Sequence, residues 1–336
     1  MAFNFEGKIS PRENFMMALR GEVPEYYCDD NNYTGPWVFD PIMKSGKPRI
    51  PNADSVDDWG VTWRWIPGAP AANPHITEEN KVIKDITKWD KYLTDIPMPS
   101  KKELDWTEYE EGAKNFDREN HIFCGYCFGG LFEMSHYLMG FEDALINYVE
   151  EPEAMGELLD VITDYKLEYV KMLVEHGNID MIHFHDDWGN KKSLFLSPST
   201  WRKILKPRYE KIYGYLREQG VIIQHHADCV CQDVIEDMIE LGVNVWHGCI
   251  PQNDIEKMQK LYRGKIAFQG GIDGAAIDHK GIDRSIVRQE VRRAIDTYGP
   301  NGGFIPLAIQ VNMQEWAMTR EEIDIYGEEL WQAKQK

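Results

Sequence analysis

The stretch IIQHHADCVCQDVIEDMIELG, residues 222–242, sets His225, His226, Asp228, Cys229 and Cys231 between a strand-like run and a helix-like run. Imidazole, carboxylate and thiolate are the donors that hold zinc, and the first two also move protons. Side chains alternate along a strand, so if His226 faces a site, His225 points the other way, toward the covering helices. Cys231 opens the following helix and is expected to pack. A second stretch, IDMIHFHDDWG, ends in His185, Asp186, Asp187 and Trp188. Neighbouring carboxylates push one another's pKa values apart, which suits acid–base work. Asp186, Asp187 and His185 are therefore the expected catalytic groups, with a salt bridge to Arg202 or Lys206 as the structural alternative for the aspartates. Cys124 and Cys127 form a single C-x-x-C pair, too little by itself to imply zinc.

These residues need elements that bring them together. Ser10-Pro11-Arg12-Glu13 has the capping residue, the proline and the acidic third position of a helix start, and that helix is expected to end near Gly21. EYYCDDNNY reads as a strand with a polar end at Cys28–Asn32. Residues 33–110, rich in Pro, Trp and Asp, read as an irregular insert, with WGVTWRWIP a hairpin strand, forming a lid or one wall of a cleft. From about residue 120 apolar runs alternate with amphipathic helices: 121–128, 179–189, 221–228, 243–250, 265–273 and 303–311 as strands, 130–176 and 197–220 as helical regions. Each later strand ends in polar residues: His226 and Asp228, His247 and Cys249, Gln269 and Asp273, Gln310. A closed parallel barrel gathers such ends into one ring, whereas an open sheet uses a single switch point. No strand is followed by a glycine-rich nucleotide loop. The expectation is an α/β TIM (β/α)8 barrel with an N-terminal helical segment, one domain over 1–336 carrying the 33–110 insert.

The chain has 336 residues and a formal net charge of −19. That charge repels nucleic acid and anionic membrane surfaces. No apolar run reaches the length of a membrane span, and the charged N-terminus does not read as an export signal. With six cysteines in so long a chain, reduced thiols and a cytoplasmic protein are expected.

Six segments in order, SPRENFMMALRGEVPE, LFEMSHYLMGFEDALINYVEEPEAM, IDMIHFHDDWG, LSPSTWRKILKPRYEKI, HHADCVCQDVIEDMIELGVNVW and KIAFQGGID, resemble the uroporphyrinogen decarboxylase superfamily. DDWG followed by SP..WRK..KPRY looks closest to its corrinoid-dependent methyltransferase branch, including O-demethylases. The resemblance implies methyl transfer from a small methyl ether or methylamine-like donor to the Co(I) corrinoid of a separate protein, which docks at the barrel mouth because the chain has no cobalamin-binding D-x-H-x-x-G. It also implies a metal. Thiol-methylating members hold zinc with His-x-Cys plus a distant Cys; here His226 falls on the histidine, Asp228 on its partner, the cysteine comes at Cys229, and Gln310 lies where the distant cysteine would fall. The expected metal set is His226, Asp228 and Cys229, completed by Cys249 or by His185 or Asp187 from a neighbouring strand. Glu133, by its place in a resembling segment, is expected to bind substrate, with Tyr126, Phe128, Trp188, Trp246 and Gln310 lining the pocket. Barrels of this kind often pair, so a homodimer is an open expectation. The alternatives are a porphyrinogen-type decarboxylase, disfavoured because YYCDDNN is acidic where a basic clamp is wanted, and a non-catalytic binding barrel.

Overall fold

The computed structural model describes residues 3–45, 49–67, 69 and 71–336. Its centre is a parallel sheet of six strands in sequential order: β1 (Cys124–Cys127), β2 (Met181–His185), β3 (Ile222–His226), β4 (Val245–Cys249), β5 (Ala267–Gly271) and β6 (Phe304–Leu307). Helices connect successive strands and cover the outside, giving the TIM-barrel architecture expected. The segment Tyr26–Asp30, expected as a strand, joins no ladder among the described residues, and Asp30 already has helical dihedrals. Tyr26 and Cys28 nonetheless pack in one buried cluster with Cys124, Tyr126, Met181, Val245, Ala267 and Ile305. These come from β1, β2, β4, β5 and β6, so the segment fills the gap between the first and last strands by side-chain packing.

Period-two alternation sorts the strand residues into two layers. Met181, Val245, Ala267 and Ile305 face inward, whereas Phe184, Trp246, Phe268 and Phe304 belong to the larger core between sheet and helices. Phe184 meets Tyr209 and Tyr213 of the helix Lys206–Glu218 edge-on. That helix and the preceding Pro198–Ile204 form the expected pair. Ser197 caps the first by accepting from the Thr200 amide, and Gly220 (φ 72°) ends the second.

Helix α1 (Pro11–Leu19) starts on the Ser10 cap as the sequence indicates, its hydroxyl accepting from the Glu13 amide. The insert contains a small antiparallel sheet of Asp54–Val56, Thr62–Arg64 and Asn73–Pro74. It lies against the outer helices: Trp63 meets Tyr137 of α2 (Leu131–Met139) edge-on, and Trp59 meets Tyr165 of α3 (Pro152–Gly177). Only its first part reaches the barrel mouth, where Trp37 stacks on Tyr126 at 4.2 Å between ring centres. No helix among the described residues is long and apolar enough to cross a membrane.

The last helix, α4 (Met313–Lys334), packs across the N-terminal segment. Gly327 is where the backbones touch, and a Cβ there would overlap the Tyr27 carbonyl. Gly327→Ala must push the segment off the barrel end, at a cost of about 2–4 kcal/mol. Urea unfolding measures this; an unchanged midpoint would show that the contact does not hold the segment.

Candidate active site

The parallel register places the inward-facing residues in rows. His185 pairs with His226, His226 with His247, His247 with Gln269, and Gln269 with Ile305. One layer deeper, Tyr126 pairs with His183, His183 with Gln224, and Gln224 with Val245. Four imidazoles thus meet at one end of the barrel because histidine recurs at inward positions of three adjacent strands. They line a cavity of about 240 Å³ with Gln224 and Gln269, the aromatic residues Trp37, Tyr126, Phe128 and Trp316, and the polar Asp30 and Gln310.

Within this cluster two sets of possible metal ligands occur among the described residues, each with ligand atoms within 4.8 Å of one another: His183, His226 and His247, and His185, Asp187 and His226. His226 and His247 share a hydrogen bond between their Nδ1 atoms (2.7 Å). The His183 Nδ1 lies 2.7 Å from the Gln224 carbonyl oxygen, and the Gln224 amide donates to Gln269 Oε1 at 2.7 Å. Because that donation fixes which end of the Gln224 amide faces His183, His183 must carry its proton on Nδ1, leaving Nε2 with a free lone pair. Burial, aided by mutual repulsion, drives the pKa values of His226 and His247 well below the ordinary value, and burial takes His183 to about 4. All three are neutral at pH 7, the form that binds a metal.

His185 differs. Its Nδ1 donates to Glu133 Oε2 at 2.9 Å, and Glu133 also accepts from the Tyr137 hydroxyl at 3.1 Å. Burial opposes the charged form of His185, but the Glu133 carboxylate overcomes it and raises the pKa to about 9. Burial likewise works against ionised Glu133, yet His185 holds its pKa below the ordinary value. The result is an imidazolium–carboxylate pair at neutral pH, with the His185 ring stacked on His226 at 4.1 Å.

The other expected residues fall as follows. Asp187 approaches His226 Nε2 at 3.8 Å and accepts from the Asp228 amide at 2.9 Å. Burial, with repulsion from Glu133 and Asp228, raises its pKa well above the ordinary value. Asp186, expected as catalytic, is turned away from the cavity. It accepts from the amides of Phe132 and Glu133 (both 2.9 Å), from Trp188 Nε1 (3.3 Å) and from the Tyr209 hydroxyl. It therefore anchors the N-terminus of α2, where the helix dipole favours a carboxylate. Burial and the nearby Glu133 charge push its pKa up to about 7. The salt-bridge alternative fails as well, because Arg202 and Lys206 pair with Asp237.

Trp188 and Trp246 do not line the cavity. Trp188 stacks on His225 at 3.9 Å, and Trp246 donates to the Ala227 carbonyl on the helix side of the sheet. His225 points outward as expected and bonds Tyr213 at 2.7 Å. Cys229 and Cys249 lie in the core outside the barrel and join neither ligand set. For Cys249 the cause is local: the ladder shifts register between His247 and Cys249, and Gly248 there adopts φ 78°. Asp228 also lies outside both sets. Glu133 is buried behind His185 rather than in the cavity wall, whereas Tyr126, Phe128 and Gln310 do line it.

His183, His247, Gln224 and Gln269 were absent from the expected set. The available signal was the H-x-H spacing in MIHFH, which puts His183 and His185 on one strand face, together with histidine at the same depth in the next two strands.

The family model described as uroporphyrinogen decarboxylase (URO-D) matches residues 120–307. The chain is similar to the curated uroporphyrinogen decarboxylases of Thermus thermophilus, 26% identical over 152 residues, and of Syntrophotalea carbinolica, 22% identical over 156 residues. These matches span 44% and 46% of this chain but only 40% and 43% of the relatives. Among solved structures, a methyltransferase from Methanosarcina mazei superimposes with a TM-score of 0.62 over 95% of this chain and 99% of that one, at 13% identity. That likeness is one of fold.

The Glu133 pair makes a direct prediction for the metal-free protein. The His185 proton is held more tightly in the folded state than at the ordinary value of 6.5, so its stabilisation is complete below about pH 6.5 and disappears as pH rises through about 9. Imidazole NMR should show one histidine titrating near pH 9, and Glu133→Gln should lower it markedly, because only the weaker pull of Asp187 and Asp186 then opposes burial. An unmoved titration would mean that Glu133 does not hold the charge.

Proposed function

The chain belongs to the uroporphyrinogen decarboxylase family, and within it we propose that this protein is a methyltransferase, moving a methyl group from a small methyl ether or methylamine-like donor to the corrinoid of a separate protein. The observation that carries this reading is the composition of the cavity wall. It presents histidines, aromatic rings, amides and an aspartate, and none of its residues is Arg or Lys. A polycarboxylated tetrapyrrole needs cationic partners, because each buried carboxylate left unpaired is costly. It is also far larger than a 240 Å³ cavity, which lies below the roughly 300–1,000 Å³ of sites for drug-sized ligands.

Methyl transfer makes different demands, and the residues present meet them. The methyl group must leave an oxygen or nitrogen, and an alkoxide or phenolate leaves poorly unless it gains a proton or a Lewis acid. His185 carries a proton at neutral pH, and with Nδ1 engaged by Glu133 its second N–H is free for the departing atom. The aromatic walls hold the body of the donor and exclude water. Trp37 and Phe128, exposed by 46% and 44%, stand at the mouth with the exposed Phe39, an apolar rim suited to a docking protein. The reduced corrinoid carried by that partner would supply the nucleophile.

The donor set also fits a metal. His183, His226 and His247 are neutral, buried and close, and His183 has the outer hydrogen bond that orients a metal-binding imidazole. Three nitrogens with an open side toward a cavity is the pattern of catalytic rather than structural zinc. Zinc held there would polarise the heteroatom from which the methyl departs.

Purified protein should contain about one zinc per chain by elemental analysis, and His226→Ala should lose most of it. With a Co(I) corrinoid protein and a methyl ether, the absorbance change of cobalt methylation should appear, and His185→Gln should slow it about a hundredfold. Carbon dioxide release from a carboxylated porphyrinogen, with no cobalt methylation, would contradict the assignment.

A further inference from the structure

Three residues that line the cavity carry buried polar atoms without any hydrogen-bond partner: Asp30 through Oδ1, Gln310 through both Oε1 and Nε2, and Trp316 through Nε1. A buried polar atom without a partner costs about 1–3 kcal/mol. Four such atoms around one cavity are unusual, because nearly all buried polar groups in folded proteins are paired. The histidines at the other wall show no such deficit, apart from the outward-facing His225. The unpaired atoms are therefore concentrated where Asp30, at the end of the N-terminal segment, meets Gln310 and the start of α4.

The charge balance at this pole is also particular. Arg320 is the neighbouring cation, and it is taken up by Asp29 in a two-pronged pair (2.7 and 2.5 Å). Asp30 takes a long contact from the Gln269 amide, 3.5 Å to its other oxygen, and burial together with the adjoining Asp29 carboxylate raises its pKa well above the ordinary value. Asp324, close by, accepts from the Asp29 amide at 2.7 Å. Three carboxyl groups thus share one guanidinium, and a further carboxylate entering this end of the cavity would find no cation left to pair with.

We infer that Asp30, Gln310 and Trp316 form a specificity pole that receives the end of the methyl donor remote from the histidines, and that this end is an uncharged or cationic group bearing O–H or N–H donors, never a carboxylate. Asp30 and Gln310 Oε1 accept from such a group, while Gln310 Nε2 and Trp316 Nε1 donate to its lone pairs, a pattern a hydroxyl satisfies in both directions. An amine satisfies the accepting half, and its charge would favour the ionised form of Asp30 and lie well against the aromatic faces. The inference rests on the methyl-transfer reading only for which end of the ligand carries the methyl group; the pole itself is defined by unpaired atoms.

Calorimetric binding tests it without corrinoid or turnover. The probes are methoxybenzene, 4-methoxyphenol, 4-methoxybenzylamine and 4-methoxybenzoate. The phenol or the amine should bind about tenfold more tightly than methoxybenzene, the worth of one good hydrogen bond in a desolvated site, and the benzoate more weakly than methoxybenzene. Whichever of the first two is tighter identifies the donor group. Gln310→Leu, which removes a side-chain amide with no partner among the described residues, should erase that advantage and affect methoxybenzene far less. Asp30→Asn, which cannot ionise, should weaken the amine more than the phenol. Equal affinities, a preference for the benzoate, no binding of any probe, or variants that weaken all probes alike would overturn the inference. Intact discrimination with no methylation of a Co(I) corrinoid would instead count against the methyl-transfer reading alone.

Discussion

Strand register is the constraint on which the site depends. Parallel pairing sets His185, His226 and His247 side by side, and a shift of one residue in β3 would turn His226 toward the helices and bring His225 inward. Register is held from outside: Phe184 sits among Tyr209 and Tyr213, His225 is tied to Tyr213 and stacked under Trp188, and Trp246 bonds the Ala227 carbonyl. These contacts form only when His185, His226 and His247 point inward. The packing of the outer layer thus places the chemistry of the inner one.

Bringing four imidazoles together in a buried place has an electrostatic cost, and the structure meets it in two ways. His183, His226 and His247 give up their charge, so no repulsion remains among them, and a metal gains the lone pairs of all three by replacing the His226–His247 hydrogen bond. His185 keeps its proton because Glu133 lies behind it, and Glu133 is itself positioned at the start of α2, which Asp186 anchors through two backbone amides. The two acidic residues beside each other in HDDWG thereby divide their work. Asp186 fixes a helix, whereas Asp187 reaches toward His226.

The barrel was legible in the sequence because the later strands were apolar runs with polar ends and several helices carried a cap or stop. Ser10, Ser197 and Gly220 all act as their positions suggest. The N-terminal segment was harder: YYCDDNN has strand composition, yet it closes the barrel by packing and forms no ladder among the described residues. His185 and His226 could be placed at the cavity from their strand-end positions and alternation, and Tyr126, Phe128 and Gln310 from the family resemblance. The cysteines could not, because a glycine bulge at Gly248 changes the face on which Cys249 falls, and a single-residue irregularity leaves no mark in periodicity. Trp188 and Trp246 show the same difficulty: both sit near strand ends, but the face is decided by which neighbour needs covering. Trp316 lies far along the chain from Asp30 and Trp37, and only the folded chain brings them to one cavity.

The barrel interior is held to offer an all-imidazole metal site in which the nearby thiols take no part. Zinc K-edge X-ray absorption on the metal-loaded protein addresses this directly. The predicted result is a first shell of nitrogen and oxygen scatterers at about 2.0–2.1 Å with the multiple scattering of imidazole rings. A sulfur shell at about 2.3 Å would place the metal on Cys229 or Cys249 and contradict it.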